Sequence, residues 1–222
     1  MKLFLLRSVA IWLVIAGCAS FKPQMKQDEL LTAVRQPSAS ETKEALTVSV
    51  EEFATPDKSK MAFDADTAHY GVLAVLVRLE NKGPQTYQVR RSNVTASIAD
   101  KQLTALLADG AASKSAKNEY VGKALGWTVL TGPFAIILWP ATIAGSASHT
   151  AYVNRRVKWH FEGMQLKDAD LKPNEITTGF VYFEMPGKSK RLENLIVQVD
   201  TAAADVGEKV SYKLAVPPVD LE

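Results

Sequence analysis

The stretch Tyr70–Glu80 constrains the fold more than any other part of this chain. In an extended strand successive side chains point to opposite faces. Leu73, Val75, Val77 and Leu79 therefore line one face, while Val72, Ala74 and Leu76 keep the other apolar as far as Arg78. A strand with two apolar faces is expected at the centre of a sheet, covered on both sides.

The same period of two recurs on either side. Leu46, Val48 and Val50 alternate with Thr47, Ser49 and Glu51, the pattern of a strand with one buried face. Asn81-Lys82-Gly83-Pro84 supplies turn chemistry, after which Tyr87 and Val89, then Val94, Ala96 and Ile98, form short strands around Ser92-Asn93. The period returns in Thr177–Glu184, in Leu195, Val197 and Val199, and in Val210, Tyr212, Leu214 and Val216, with turns at Met185-Pro186-Gly187 and near Gly207. Strands of this number and spacing resemble an immunoglobulin-like β-sandwich in architecture, over about 110 residues; the Cys…Trp…Cys signature of true immunoglobulin domains is absent. The resemblance implies a mainly β fold occupying residues 46–222.

Cys18 is the only cysteine. Lys2 and Arg7 form a basic start, Val9–Ile15 an apolar core, and Ala16-Gly17 the small residues at which a leader is cut. The uncharged stretch Ser8–Gly17 is too short to span a bilayer, which takes about 20 residues. With Ile15-Ala16-Gly17-Cys18 as a lipobox, this start resembles a bacterial lipoprotein signal. The resemblance implies that residues 1–17 are removed, that Cys18 carries a diacylglycerol and an acylated amino group, and that the product is held in the cell envelope. One acyl chain holds a protein only marginally, and two or three hold it firmly. Ala19 stands where an aspartate would retain an enteric lipoprotein at the inner membrane, so the implied address is the outer membrane, facing the periplasm.

Loss of Lys2 and Arg7 leaves 24 basic against 24 acidic residues. A neutral chain offers no electrostatic case for nucleic acid or for an acidic membrane surface. With its thiol acylated, such a chain has no disulfide, and stability rests on packing. Residues 18–45 are polar and contain Pro23, Pro37, Ser38 and Ser40, a composition expected of a flexible tether. Within it Asp28–Arg35 has Leu30, Leu31 and Val34 at helical spacing, though isolated helices this short are marginal.

The strand pattern is interrupted by a long uncharged run. From Ala124 to Asn154 there is no formal charge when His149 is neutral, and Leu125–Thr142 is dominated by aliphatic residues and two tryptophans. Gly132-Pro133 suits a turn between two helices, predicted over Ser113–Thr131 and from Pro133 to about Met164, with a kink at Pro140. Gly122 and Gly126, then Ala141 and Gly145, repeat a small-residue spacing that lets helix backbones approach closely. The expectation is an α-helical hairpin inserted in the sandwich at about 113–164. A single membrane crossing would separate the first strands from the last, and two crossings need about 20 residues each where the limbs offer roughly 14 and 19. Three readings remain: burial against the domain's own sheet, a protein interface or self-association, and contact with the membrane leaflet. Trp127, Phe134, Ile137 and Trp139 are the expected contact residues in the latter two.

The last part of the run turns amphipathic. Tyr152, Val153, Val157, Phe161 and Met164 fall at helical spacing, with Arg155, Arg156, Lys158 and Glu162 elsewhere around the helix. The cluster of Arg155, Arg156, Lys158, Trp159 and His160 reads as the solvated face of a packed helix, with lipid headgroups or an anionic glycan as the other reading.

Catalytic constellations are thin. His69, His149 and His160 are dispersed and belong to no HExxH pair, there is no GxSxG elbow, and the one cysteine is assigned to lipid. Gly187-Lys188-Ser189 mimics the end of a phosphate loop but lies between strands, and Tyr182 stands where the first glycine is required. Asp64 and Asp66 have the spacing of calcium ligands without the glycine or the distal glutamate of a calcium loop. Asn93-Val94-Thr95 matches a glycosylation acceptor, which carries little meaning behind a bacterial lipobox. The expectation is a non-enzymatic envelope component with no cofactor or metal, working through the apolar hairpin. The alternative is a carrier of lipid or another hydrophobe, with the hairpin as lid over a pocket.

Overall fold

The computed structural model describes residues 21–30, 37–115, 152–187, 189–204 and 207–221. The fold is mainly β, and its sheets are antiparallel. The first sheet has the order β1-β2-β3-β9-β7, formed by Ala39–Lys43, Leu46–Glu52, Val72–Asn81, Ile176–Glu184 and Ala105–Leu106. The second has the order β6-β5-β11-β4-β8, formed by Lys101–Gln102, Val94–Ile98, Leu195–Ala203, Tyr87–Val89 and Ala169–Leu171, with β12 (Lys209–Val216) also on β11. A short pair, β10 (Arg191–Leu192) and β13 (Val219–Asp220), completes the strands.

The doubly apolar strand lies at the centre of the first sheet, as its pattern requires, between β2 and β9. Leu73, Val75, Val77 and Leu79 belong to one apolar cluster together with Leu46, Val48 and Val50 of β2. That cluster also holds Tyr87, Val89, Val94, Ala96, Val197, Val199, Tyr212 and Leu214 of the second sheet. The tyrosines keep their hydroxyls at its margin: Tyr212 donates to the Lys43 and Leu46 carbonyls, and Tyr87 to that of Glu44. Lys213 N–H donates to Glu41, so β12 is tied across to β1 at the edges of the two sheets.

Val72, Ala74 and Leu76 face a second cluster on the opposite side of the first sheet. Three helices supply its other wall: α1 (Pro56–Phe63), α2 (residues 108–115) and α3 (residues 152–164). The start of α1 is fixed by Thr55, whose side chain accepts from Lys58 N–H, and by Pro56. Asp64 ends it in the left-handed region at φ 53°. Ser59, fully buried, donates to the Ala65 carbonyl and accepts from Thr67 N–H, which pins the loop back onto the helix.

Several details depart from the sequence expectations. The helix expected to begin at Ser113 begins at residue 108, because Ala108, Ala111 and Ala112 pack small side chains onto the sheet. Tyr152, expected on the packed face of the later helix, is 57% exposed, while Val153, Val157, Phe161 and Met164 are buried. Residues 39–43, expected in the tether, form β1 on β2, in register from Ala39 opposite Val50 to Lys43 opposite Leu46. Phe21, Met25 and Leu30 from the same stretch are buried in the helical cluster. Residues 116–151, most of the hairpin expected at about 113–164, lie outside the described residues.

Candidate functional site

Of the residues that the sequence nominates, Cys18, Trp127, Phe134, Ile137 and Trp139 lie outside the described residues, as does His149. The described residues show how the chain on either side of them is held. Before the uncharged run, α2 buries Ala108, Ala111, Ala112 and Ser115, whose hydroxyl donates to the Ala111 carbonyl. After it, α3 buries Val153, Val157, Phe161 and Met164. Lys158 joins the two helices through a 3.0 Å ion pair with Asp109, which holds the lysine pKa above its ordinary value. Tyr182 of β9 donates a 3.0 Å hydrogen bond to the Phe161 carbonyl, and its burial pushes the phenol well above the usual range. The phenol stays protonated and fastens α3 to the sheet.

Aromatic packing reinforces that attachment. Phe63 of α1 meets Phe161 at 4.6 Å and Phe180 at 4.9 Å between ring centroids, and Phe53 meets Phe180 at 4.9 Å. The two contacts to Phe180 are edge-to-face and the Phe63–Phe161 pair is tilted; aromatic pairs contribute about 0.5–1.5 kcal/mol beyond the area that they bury. The helical layer is a built part of the fold.

The N-terminal arm docks on the same layer. Phe21 is 4% exposed and meets the His160 ring edge-on, with centroids 5.3 Å apart. Gln24 and Met25 N–H donate to the Met61 carbonyl at 2.9 and 3.0 Å, and Lys22 N–H donates to the Asp64 carboxylate at 2.9 Å. Asp66 accepts from His69 N–H. The two aspartates that mimic calcium ligands in sequence thus bond to backbone, and among the described residues no group of three or more His, Cys, Asp or Glu could hold a metal ion. His160 Nε2–H donates to the Ala62 carbonyl at 2.7 Å. Burial pushes its pKa below the ordinary histidine value, and the hydrogen bond to Ala62 works against that shift.

On the side of α3 away from the sheet, Tyr152, Arg155, Arg156 and Trp159 are exposed. Their spacing of three, four and seven residues from Tyr152 puts them on one face of the helix. The Arg156 guanidinium lies 5.9 Å from the Tyr152 ring centroid, a cation–π contact that leaves its charge outward. Trp159 is 61% exposed, so the indole is not part of the core. The face presents two aromatic rings and two cations.

The sequence singled out this cluster but did not foresee its neighbour, the arm at Phe21. Phe21 and Met25 are both buried although residues 21–25 form neither helix nor strand, so no periodicity marks them. No helix among the described residues is long and apolar enough to cross a membrane. No protein-family model matches the chain, and no curated protein matches it.

Proposed function

We propose that this chain is a lipid-anchored protein of the bacterial envelope: an immunoglobulin-like β-sandwich, tethered by acyl chains on Cys18, that acts without catalysis as an interaction or assembly component. Its working part is the uncharged run between α2 and α3, read as a helical hairpin presenting Trp127, Phe134, Ile137 and Trp139 to a protein partner or a second copy. The lipobox Ile15-Ala16-Gly17-Cys18 supports the anchor and the outer-membrane, periplasm-facing address. The observation that carries the role is that α2 and α3, which lead into and out of this run, are both packed against the first sheet. A run entered and left by fixed helices is displayed from a rigid base, which favours binding by limiting what must be ordered on contact.

Two measurements test this reading. Metabolic labelling with a fatty-acid analogue should mark the wild-type chain and not Cys18→Ser, and the variant should leave the membrane fraction. Undiminished label in the variant removes the anchor. Trp139→Ser combined with Ile137→Ser should preserve folding and acylation while eliminating a crosslinked partner or self-associated species, since buried aromatic anchors contribute about 2 kcal/mol or more each. A loss of several kcal/mol in folding stability instead would place those side chains in the protein's own interior.

A further inference from the structure

We infer that the outward face of α3, carried by Tyr152, Arg155, Arg156 and Trp159, rests on the phospholipid bilayer that holds the acyl chains of Cys18. This depends on the lipid-anchor reading and adds an orientation that the lipobox does not contain.

Chain length supplies the first argument. Consecutive Cα atoms are about 3.8 Å apart across a trans peptide, so residue 18 lies at most about 11 Å from residue 21. Phe21 is buried against His160, and the arm behind it is hydrogen-bonded to Met61 and Asp64. An α-helix with its side chains is about 10–12 Å across. The lipid attachment point therefore lies no more than about one such width from the Cα of Phe21, whose ring packs on His160 of α3, and the leash between lipid and the first docked side chain is three residues. A polar stretch that would let the domain stand off the bilayer is instead spent on docking.

Chemistry supplies the second. The packed side of α3 is complete without the outward face, since Val153, Val157, Phe161 and Met164 are buried on it. Indole and phenol rings favour the headgroup layer, where the ring meets hydrocarbon and its polar edge meets water. Guanidinium groups pair with phosphate through parallel N–H donors. Two of each, on one face of a helix beside the anchor, match a bilayer containing anionic phospholipid. Met61, the α1 residue whose carbonyl holds the arm, is also partly exposed, at 37%.

The test uses the full-length acylated chain reconstituted in vesicles of phosphatidylethanolamine and phosphatidylglycerol. A nitroxide is attached through Tyr152→Cys or Trp159→Cys, with Ser211→Cys on the exposed side of β12 as reference; acylated Cys18 takes no label. Paramagnetic resonance then reads collisions with oxygen, which partitions into lipid, and with a nickel chelate, which stays in water. The oxygen-to-nickel ratio at 152 and 159 should exceed the reference several-fold, and Arg155→Glu with Arg156→Glu should lower it toward the reference. Ratios equal to the reference on a chain that still carries acyl label overturn the orientation and leave the anchor standing. Protection from both reagents marks a protein interface and overturns the bilayer as occupant. A wild-type chain that takes no fatty-acid label overturns anchor and orientation together.

Discussion

A Cβ built on Gly179 would lie 2.4 Å from the Cα of Leu166. The chain leaves α3 at residue 164 and passes β9 at this point, with Leu166 N–H bonded to the Phe180 carbonyl. Met164 belongs to the helical cluster and Leu166 to the cluster shared by the two sheets, so Gly179 marks the crossing from one side of the first sheet to the other. Gly179→Ala sets a methyl against backbone that cannot rotate away. It should cost about 2–3 kcal/mol, within the upper range for overpacking, as read by urea unfolding.

The alternating strands were legible because one rule governs them: the apolar residues at every second position of β2, β4, β11 and β12 enter the core between the sheets, and β3 adds a second apolar face that enters the helical cluster. β1 was not legible. Its residues are Ala, Ser, Glu, Thr and Lys, and none is fully buried, so no pattern marks it. Its pairing with β2 is set by Glu44 and Ala45, both at positive φ (48° and 62°), a turn conformation usually announced by Asn-Gly. Ala99 and Asp100 do the same between β5 and β6. The buried arm was hidden for a related reason: Phe21, Met25 and Leu30 are interspersed with Lys22, Gln24, Lys26, Asp28 and Glu29, which are exposed. Of the candidate site, Cys18 rests on motif alone, whereas the outward face of α3 was visible as a cluster without its place beside the arm.

Ala45 carries strain that glycine would relieve. An L-residue in the left-handed region costs roughly 1–2 kcal/mol, and glycine gives back part of the gain through its freer unfolded chain. Ala45→Gly should raise stability by about 0.5–1 kcal/mol, seen as a higher urea midpoint with an unchanged slope.

Phe21 anchors the arm on the helical cluster. In Phe21→Ala, amide exchange at Gln24 and Met25 should accelerate strongly, because their bonds to the Met61 carbonyl depend on the docked arm. Exchange in β3 and β9 should stay slow, as expected where opening is local. Acceleration throughout β3 would show instead that the arm is integral to the sheet.

His160 makes the arm sensitive to acid. Its folded pKa is below the ordinary value because it is buried, whereas the unfolded value is near 6.5. The unfolded form therefore binds the proton more readily. The contribution of neutral His160 is fully present above about pH 6.5 and is lost as pH falls through the lower folded value. Protease sensitivity of the arm should rise over that window in the wild type. His160→Gln, which keeps a donor for the Ala62 carbonyl, should show no such rise.

The structure also says where the uncharged run can be removed. Ser115 is buried and Val153 is packed, so the cut must fall inside them: residues 117–150 replaced by a Gly/Ser linker keep α2 and α3 whole. Loop-closure entropy changes slowly with length, and two halvings of a loop contribute about 1.2 kcal/mol. The Asp109–Lys158 pair and the bond from Tyr182 to the Phe161 carbonyl remain to hold both helix stubs. The shortened protein should give a β-type circular dichroism spectrum and one cooperative unfolding transition near that of the full chain. It should also lose any partner that the full chain captures through Trp127, Phe134, Ile137 or Trp139. Loss of several kcal/mol or of cooperativity would mean that the run fills the protein's own interior, and the interaction role would have to be sought on another surface.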